Sequence, residues 1–232
     1  LRSLLTPQTK MVALNNPTNP SGSVMDGEYL EKIVEIVKPT GAYILCDEVY
    51  RGLDGEGTGF STSIVDIYEK GISTGSMSKA YSLAGLRLGW IVSNLPEFLR
   101  SVITHRDYNT ISVGILDDYF ATMALGAVDK VLERSRRVTR DNREILDRWV
   151  RNEPSMSYVK PRSGTTALLK YSFDMPSWDF CVKLVEETGV MLCPGSVMDM
   201  EGHVRIGYAN NQKVLVEGLD KMSGFLKKLG GK

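Results

Sequence analysis

The stretch "AYILCDEVY" (Ala42–Tyr50) limits what this chain can fold into more than any other. Its apolar residues are continuous rather than alternating, and the run ends in acid. A strand of that kind is apolar on both faces, so both must be covered. Parallel sheets packed between helices meet that demand. "MVALNN" (Met11–Asn16) is another short apolar run, and it breaks off in the turn cluster "NPTNPSG". "GEYLEKIVEIVKPTG" follows, with Leu30, Ile33, Val34 and Val37 at helical spacing and Pro39 and Gly41 as its stop. "GISTGSMS" (Gly71–Ser78) and "RLGWIVSN" (Arg87–Asn94) are two further strand candidates. Strands alternating with helices predict an α/β fold whose sheet is mostly parallel and flanked by helices. Ligands of such sheets bind beyond the carboxyl ends of the strands.

From about Val113 to Asn152 the pattern is helical. The charged run "KVLERSRRVTRDNREILDRWVRNEP" reads as a long, largely solvated helix closed by Pro154, with the length to bridge two domains. Beyond it come a strand pair around "MSYVKP" and "TTALLKYS", a helix near Trp178–Thr188, strand-like "VMLCPGSVM" and "HVRIGYA", and a helix from about Lys213 to Leu229. The expected organisation is a large-domain portion over residues 1–112, a helical connection over 113–153 and a small α+β domain over 154–232. No internal repeat or low-complexity tract is evident.

Composition excludes several functions. Lys plus Arg and Asp plus Glu both number 28, so the formal charge is zero, and no basic face for nucleic acid or an anionic membrane is expected. No apolar run approaches the roughly 20 residues of a membrane-spanning helix. Cys46, Cys181 and Cys193 are far apart and odd in number, with no CxxC or Cys/His cluster. No metal site is expected, and reduced thiols in a cytoplasmic protein are.

Four separated stretches carry candidate chemistry. They are "NPTNPSG" with Asn19, "DEVY" with Asp47 and Tyr50, "TGSMSKAYSLAGLRLGW" with Ser76, Ser78, Lys79 and Arg87, and "HVRIGYA" with Arg205. Singly, each has an ordinary reading: a Pro-rich turn, a capping acid, a lysine in a tight turn, a strand arginine in an ion pair. Together, in this order, they resemble the fold-type I pyridoxal-phosphate enzymes, and in particular the class I/II aminotransferases. The lysine stretch carries the resemblance furthest, with the small residues Ser76 and Ser78 three and one before Lys79 and Arg87 eight after it, followed by "LG".

The resemblance implies a role for each residue. Lys79 forms the Schiff base with pyridoxal phosphate and then moves the substrate's α-proton. An amine attacks an aldehyde only when neutral, and a low-charge surround and Arg87 would favour that form. Asp47 pairs with the cofactor's ring nitrogen. Asn19 and Tyr50 hydrogen-bond its phenolic oxygen, and Ser76, Ser78 and Arg87 hold its phosphate. Arg205, with Asn19, binds the substrate carboxylate. The implied reaction moves an amino group between an α-amino acid and a 2-oxo acid, in a homodimer, with no membrane or nucleic-acid partner.

Two other functions stay open. One is a β-lyase or other elimination enzyme using the same lysine; the other is a non-catalytic module of the same fold. The resemblance also implies an upstream portion with a phosphate-binding loop, a ring-stacking aromatic and a tyrosine contributed by the partner subunit. The expectation is therefore a C-terminal piece of a longer protein. Arg106 and His105 read as a surface arginine and a polar loop residue.

Overall fold

A computed structural model describes residues 1–54 and 60–231. The chain divides into two compact units. The first comprises Leu1–Thr18 and Ser23–Ser135, the second Asn19–Gly22 and Arg136–Lys232.

In the first unit, β1 (Met11–Asn15), β2 (Tyr43–Asp47), β3 (Gly71–Ser76) and β4 (Gly89–Ser93) form one sheet in sequence order. β1–β2 and β2–β3 pair in parallel, with Asn15 opposite Asp47 and Asp47 opposite Thr74. β4 runs antiparallel to β3. The mostly parallel sheet is therefore as expected, with one reversed edge. Ile44 and Cys46 on one side of β2 are fully buried, whereas Tyr43 and Leu45 on the other are half-buried, so the strand is less completely covered than its continuous apolar run predicts.

Helix α1 (Gly27–Val37) is the crossover between β1 and β2. Asp26 caps it, its carboxylate accepting from Tyr29 N–H at 3.0 Å. Leu30, Ile33, Val34 and Val37 form its buried stripe and pack on Ala42, Ile44 and Cys46. Each such side chain contributes about 1.5–3 kcal/mol by leaving water. α2 (Ile64–Ile67) is a single short turn before β3. α3 (Pro96–Asp107) was not among the expected elements. It starts on a proline, a residue suited to the first helical position, and buries none of its side chains. His105 accordingly lies in its last turn, not in a loop, with Nδ1 2.8 Å from Ser101 O. Arg106 is exposed, 3.8 Å from Asp107.

The helical stretch expected from Val113 consists of α4 (Ile115–Gly126) and α5 (Val128–Asn152), separated at Ala127. The boundary between units falls inside α5, after Ser135.

The second unit is an antiparallel sheet in the order β5-β6-β8-β7, with β5 (Met156–Tyr158), β6 (Thr166–Tyr171), β7 (Cys193–Pro194) and β8 (His203–Gly207). It carries α6 (Ser177–Thr188) and α7 (Gln212–Leu229). "VMLCPGSVM" keeps only two strand residues, because Pro194 and Gly195 lead into a 3-10 turn over Gly195–Met198. Phe180 centres this core, stacked on Tyr171 at 4.6 Å and edge-on to Phe225 at 5.4 Å.

A polar cluster fastens α5 to the strand region of this unit. Buried Asp147 accepts from Tyr158 OH at 2.8 Å, Lys160 Nζ at 3.1 Å and Arg151 Nη2 at 2.6 Å. Burial pulls the Asp147 carboxyl up. The bonds from Tyr158 and Lys160 and the charges of Lys160 and Arg151 outweigh it and hold the carboxyl below its usual value. A depressed folded-state value stabilises the protein above the unfolded-state value of about 3.9 and stops doing so as pH falls through the folded one. Asp147→Asn is expected to cost about 1–3 kcal/mol at neutral pH. Thermal melts should show the gap between variant and wild type closing well below about pH 4.

Candidate active site

The candidate residues of the first unit collect at the carboxyl ends of β2 and β3. Asp47 is the last residue of β2. Its backbone carbonyl accepts from Asn16 N at 2.9 Å and from Asn15 Nδ2 at 2.9 Å, and its carboxylate Oδ1 accepts from Val49 N at 3.1 Å. Glu48 N donates to Thr74 O at 2.8 Å, so the strand end is bonded on both sides.

Ser76 ends β3, and its Oγ accepts from Ser78 N at 3.3 Å. The chain then makes a loop closed at the buried Met77. Met77 N donates to Leu88 O at 3.0 Å, and Met77 O accepts from Leu83 N at 2.8 Å. This closure holds Ser78, Lys79 and Arg87 on one loop beside the end of β3. Arg87 sits in the left-handed region at φ 48°, donating from Nη1 to Ala84 O at 2.9 Å. Behind the loop, Ala80 is fully buried in a cluster with Tyr50, Leu53 and Leu132. Tyr50, in the turn after Asp47, and the residue next to Lys79 thus share one small core.

Gly75 admits the Trp90 ring: a Cβ there would lie 2.5 Å from the indole, and Trp90 meets Tyr81 edge-on at 5.8 Å. Ser76, Tyr81 and Trp90 help line a cleft of about 240 Å³.

Lys79 and Arg87 are exposed. Among the described residues, neither cation is ion-paired with a carboxylate. Cys46, on the opposite side of β2 from Asp47, has its thiol pushed up to about 12 by burial and by the Glu48 and Asp47 carboxylates.

The second unit brings its two candidates together. Arg205 on β8 donates from Nη1 to Asn19 Oδ1 at 3.2 Å. The Asn19–Gly22 segment is held there at its end. Gly22 O accepts from Arg162 N at 2.8 Å and Ser163 N at 3.0 Å. Gly22 has φ +67°, and a Cβ would strike Pro161 at 2.3 Å, so only glycine fits. Thr166 Oγ1 donates to Pro20 O at 3.3 Å.

Residues 1–221 match the family model for aminotransferase class I and II. This chain belongs to the class I/II aminotransferase family. Among solved structures, a PLP-dependent aminotransferase from Streptococcus suis superposes with a TM-score of 0.94 at 43% identity, covering 98% of this chain and 60% of that one. Aspartate aminotransferase from Thermotoga maritima gives 0.86 at 28% identity, over 97% and 58%. Among curated relatives, capreomycidine synthase from Streptomyces vinaceus is 30% identical over 96% of this chain and 57% of that protein. A probable N-acetyl-LL-diaminopimelate aminotransferase from Bacillus subtilis is 30% identical over 98% and 58%. The chain spans less than two thirds of the length of these relatives.

Three polar residues of these family motifs were not singled out from sequence: Asn15, Asn16 and Glu48. Asn15 and Asn16 bond the Asp47 carbonyl, and the Asn16 amide also bridges Met25 N and O at 2.8 and 2.9 Å. Their only sequence signal is two adjacent amides at a strand end. Glu48 is a second acid where the resemblance uses one.

Proposed function

We propose that this chain carries the lysine-bearing part of a pyridoxal-phosphate-dependent aminotransferase acting on an α-amino acid and a 2-oxo acid. The observation that carries the reading is the pairing of strand ends in the first unit. Asp47 lies opposite Thr74 in the register of β2 and β3, and Ser76, Ser78 and Lys79 follow directly. An acid, hydroxyls and two cations with no carboxylate partner among the described residues therefore share one end of one sheet.

This donor set fits pyridoxal phosphate. The phosphate calls for hydroxyls and a cationic fork, which Ser76, Ser78 and Arg87 supply. The aldehyde calls for an amine, and Lys79 supplies it. The ring nitrogen calls for a carboxylate, and Asp47 supplies it. When bound, the cofactor acts as the electron sink for the substrate carbon that loses its proton. Lys79 would be the base that takes that proton and returns it. By the family resemblance, Tyr50 and Asn19 would hydrogen-bond the phenolic oxygen. Arg205, oriented by its bond to Asn19, takes the substrate carboxylate in a two-pronged grip. A homodimer and a cytoplasmic location belong to the same reading. Exposed Ile115, Leu116 and Met123 on α4 support the homodimer as an apolar surface for a second copy.

Elimination chemistry at the same lysine is the second reading, and one relative is named a synthase rather than an aminotransferase. The two are separated by loading the protein with pyridoxal phosphate and adding an amino acid alone. An aminotransferase moves the cofactor's visible band to shorter wavelength, and a 2-oxo acid restores it. Release of ammonia and pyruvate from cysteine would overturn that reading in favour of elimination.

A further inference from the structure

Glu48 is a carboxylate where the pattern of β2 calls for an apolar residue. Ile44, Cys46 and Glu48 follow one another on the same side of the chain, and the first two are fully buried. The Glu48 side chain is 5% exposed. A buried carboxylate is costly unless hydrogen-bonded, and this one is. Its Oε1 accepts from Ser63 Oγ at 3.0 Å and from Ile64 N at 2.9 Å, and Arg51 Nε lies 3.9 Å from Oε2. Ser63 makes no side-chain cap to its own helix, so Glu48 caps α2 from sixteen residues away. Arg51 Nε donates to Ser61 O at 2.7 Å beside it.

The turn after β2 is thus tied by two side chains to the segment Ser61–Ile64. That turn, closed by Arg51 N on Glu48 O at 2.9 Å, presents the Val49 N–H that holds the Asp47 carboxylate. Asp47 and Glu48 point to opposite sides of the strand, so anchoring one side chain leaves the other only the swing of its own bonds.

We infer that Glu48 is a positioning residue: its latch onto Ser63 and Ile64 fixes the turn that orients the Asp47 carboxylate for a cofactor ring nitrogen. The inference rests on the role read for Asp47 above. Its test is a titration of the cofactor-free protein with pyridoxal phosphate carrying a ¹⁵N label in the ring, followed by absorbance and by the ring-nitrogen resonance. Glu48→Ala should weaken binding by about tenfold or more and move the resonance towards that of an unprotonated ring. Glu48→Gln retains an oxygen for both hydrogen bonds, and it should keep wild-type affinity within about twofold and the wild-type resonance.

A folded Glu48→Ala protein with wild-type affinity and resonance overturns the inference and leaves the reading of Asp47 standing. A Gln variant as impaired as the Ala variant overturns it too, because hydrogen bonding is then not what holds the turn. Should Glu48→Ala not fold, Ser63→Ala removes one of the two donors. About threefold weaker binding is then expected, and unchanged binding counts against the latch. A wild-type protein that binds no pyridoxal phosphate overturns both the latch and the proposed function.

Discussion

Lys79→Ala is expected to leave pyridoxal phosphate bound only by noncovalent contacts and to reduce turnover by at least about 10³-fold, since on the proposed reading Lys79 is both the covalent anchor and the proton-transfer base. Borohydride reduction followed by peptide mass analysis reads the first effect. In the wild type, the mass of the cofactor should appear on the peptide containing Lys79, and in the variant on none. Lys79→Arg keeps the charge but cannot form the bond, so it should behave like the alanine variant. Cofactor fixed to a different lysine in the wild type would remove Lys79 from the site. The loop geometry limits the damage of either change to function. Lys79 is exposed, while the loop is held by the Met77 backbone and by buried Ala80, so stability should change little.

Asp47→Asn is the second large effect. The variant keeps the size of the side chain and an oxygen that can accept from Val49 N, so the turn survives. What disappears is the negative charge that, on the proposed reading, keeps a ring nitrogen protonated. An ion pair of this kind contributes several kcal/mol at partly buried sites, and about 4 kcal/mol corresponds to roughly a 10³-fold loss of turnover. Cofactor affinity should fall far less, because the proposed phosphate-holding residues Ser76, Ser78 and Arg87 are unchanged. Measuring kcat beside the cofactor dissociation constant separates the two. Turnover equal to wild type would assign the ring nitrogen to another group.

The parts of this protein that depend on short spacings were legible in the sequence. The stripe Leu30, Ile33, Val34, Val37 repeats at the period of a helix, and all four residues are buried on α1. The apolar run before Asp47 does form β2, fully buried on the side of Ile44 and Cys46 and half-buried on the side of Tyr43 and Leu45. The order of strands and helices followed from the same patterns. What depends on the path of the chain was not legible. "RLGWIVSN" looks the same whether its strand runs parallel or antiparallel, and β4 is reversed because the loop from Met77 to Leu88 is closed on itself. α3 carries Phe98, Leu99, Val102 and Ile103 at helical spacing but buries none of them, and His105 was read as a loop residue in its place.

The site divides along the same line. Sequence by itself determined the residue types and their order, since Asn19, Asp47, Tyr50, Ser76, Ser78, Lys79, Arg87 and Arg205 are one motif set and the family match spans it. Tertiary structure alone decided what each is bonded to. Arg205 meets Asn19 across 186 residues, and Glu48 caps Ile64 across sixteen. Local propensity acts over a few residues, whereas a hydrogen bond needs its two atoms within about 3 Å. Only the folded path of the backbone brings such distant residues that close.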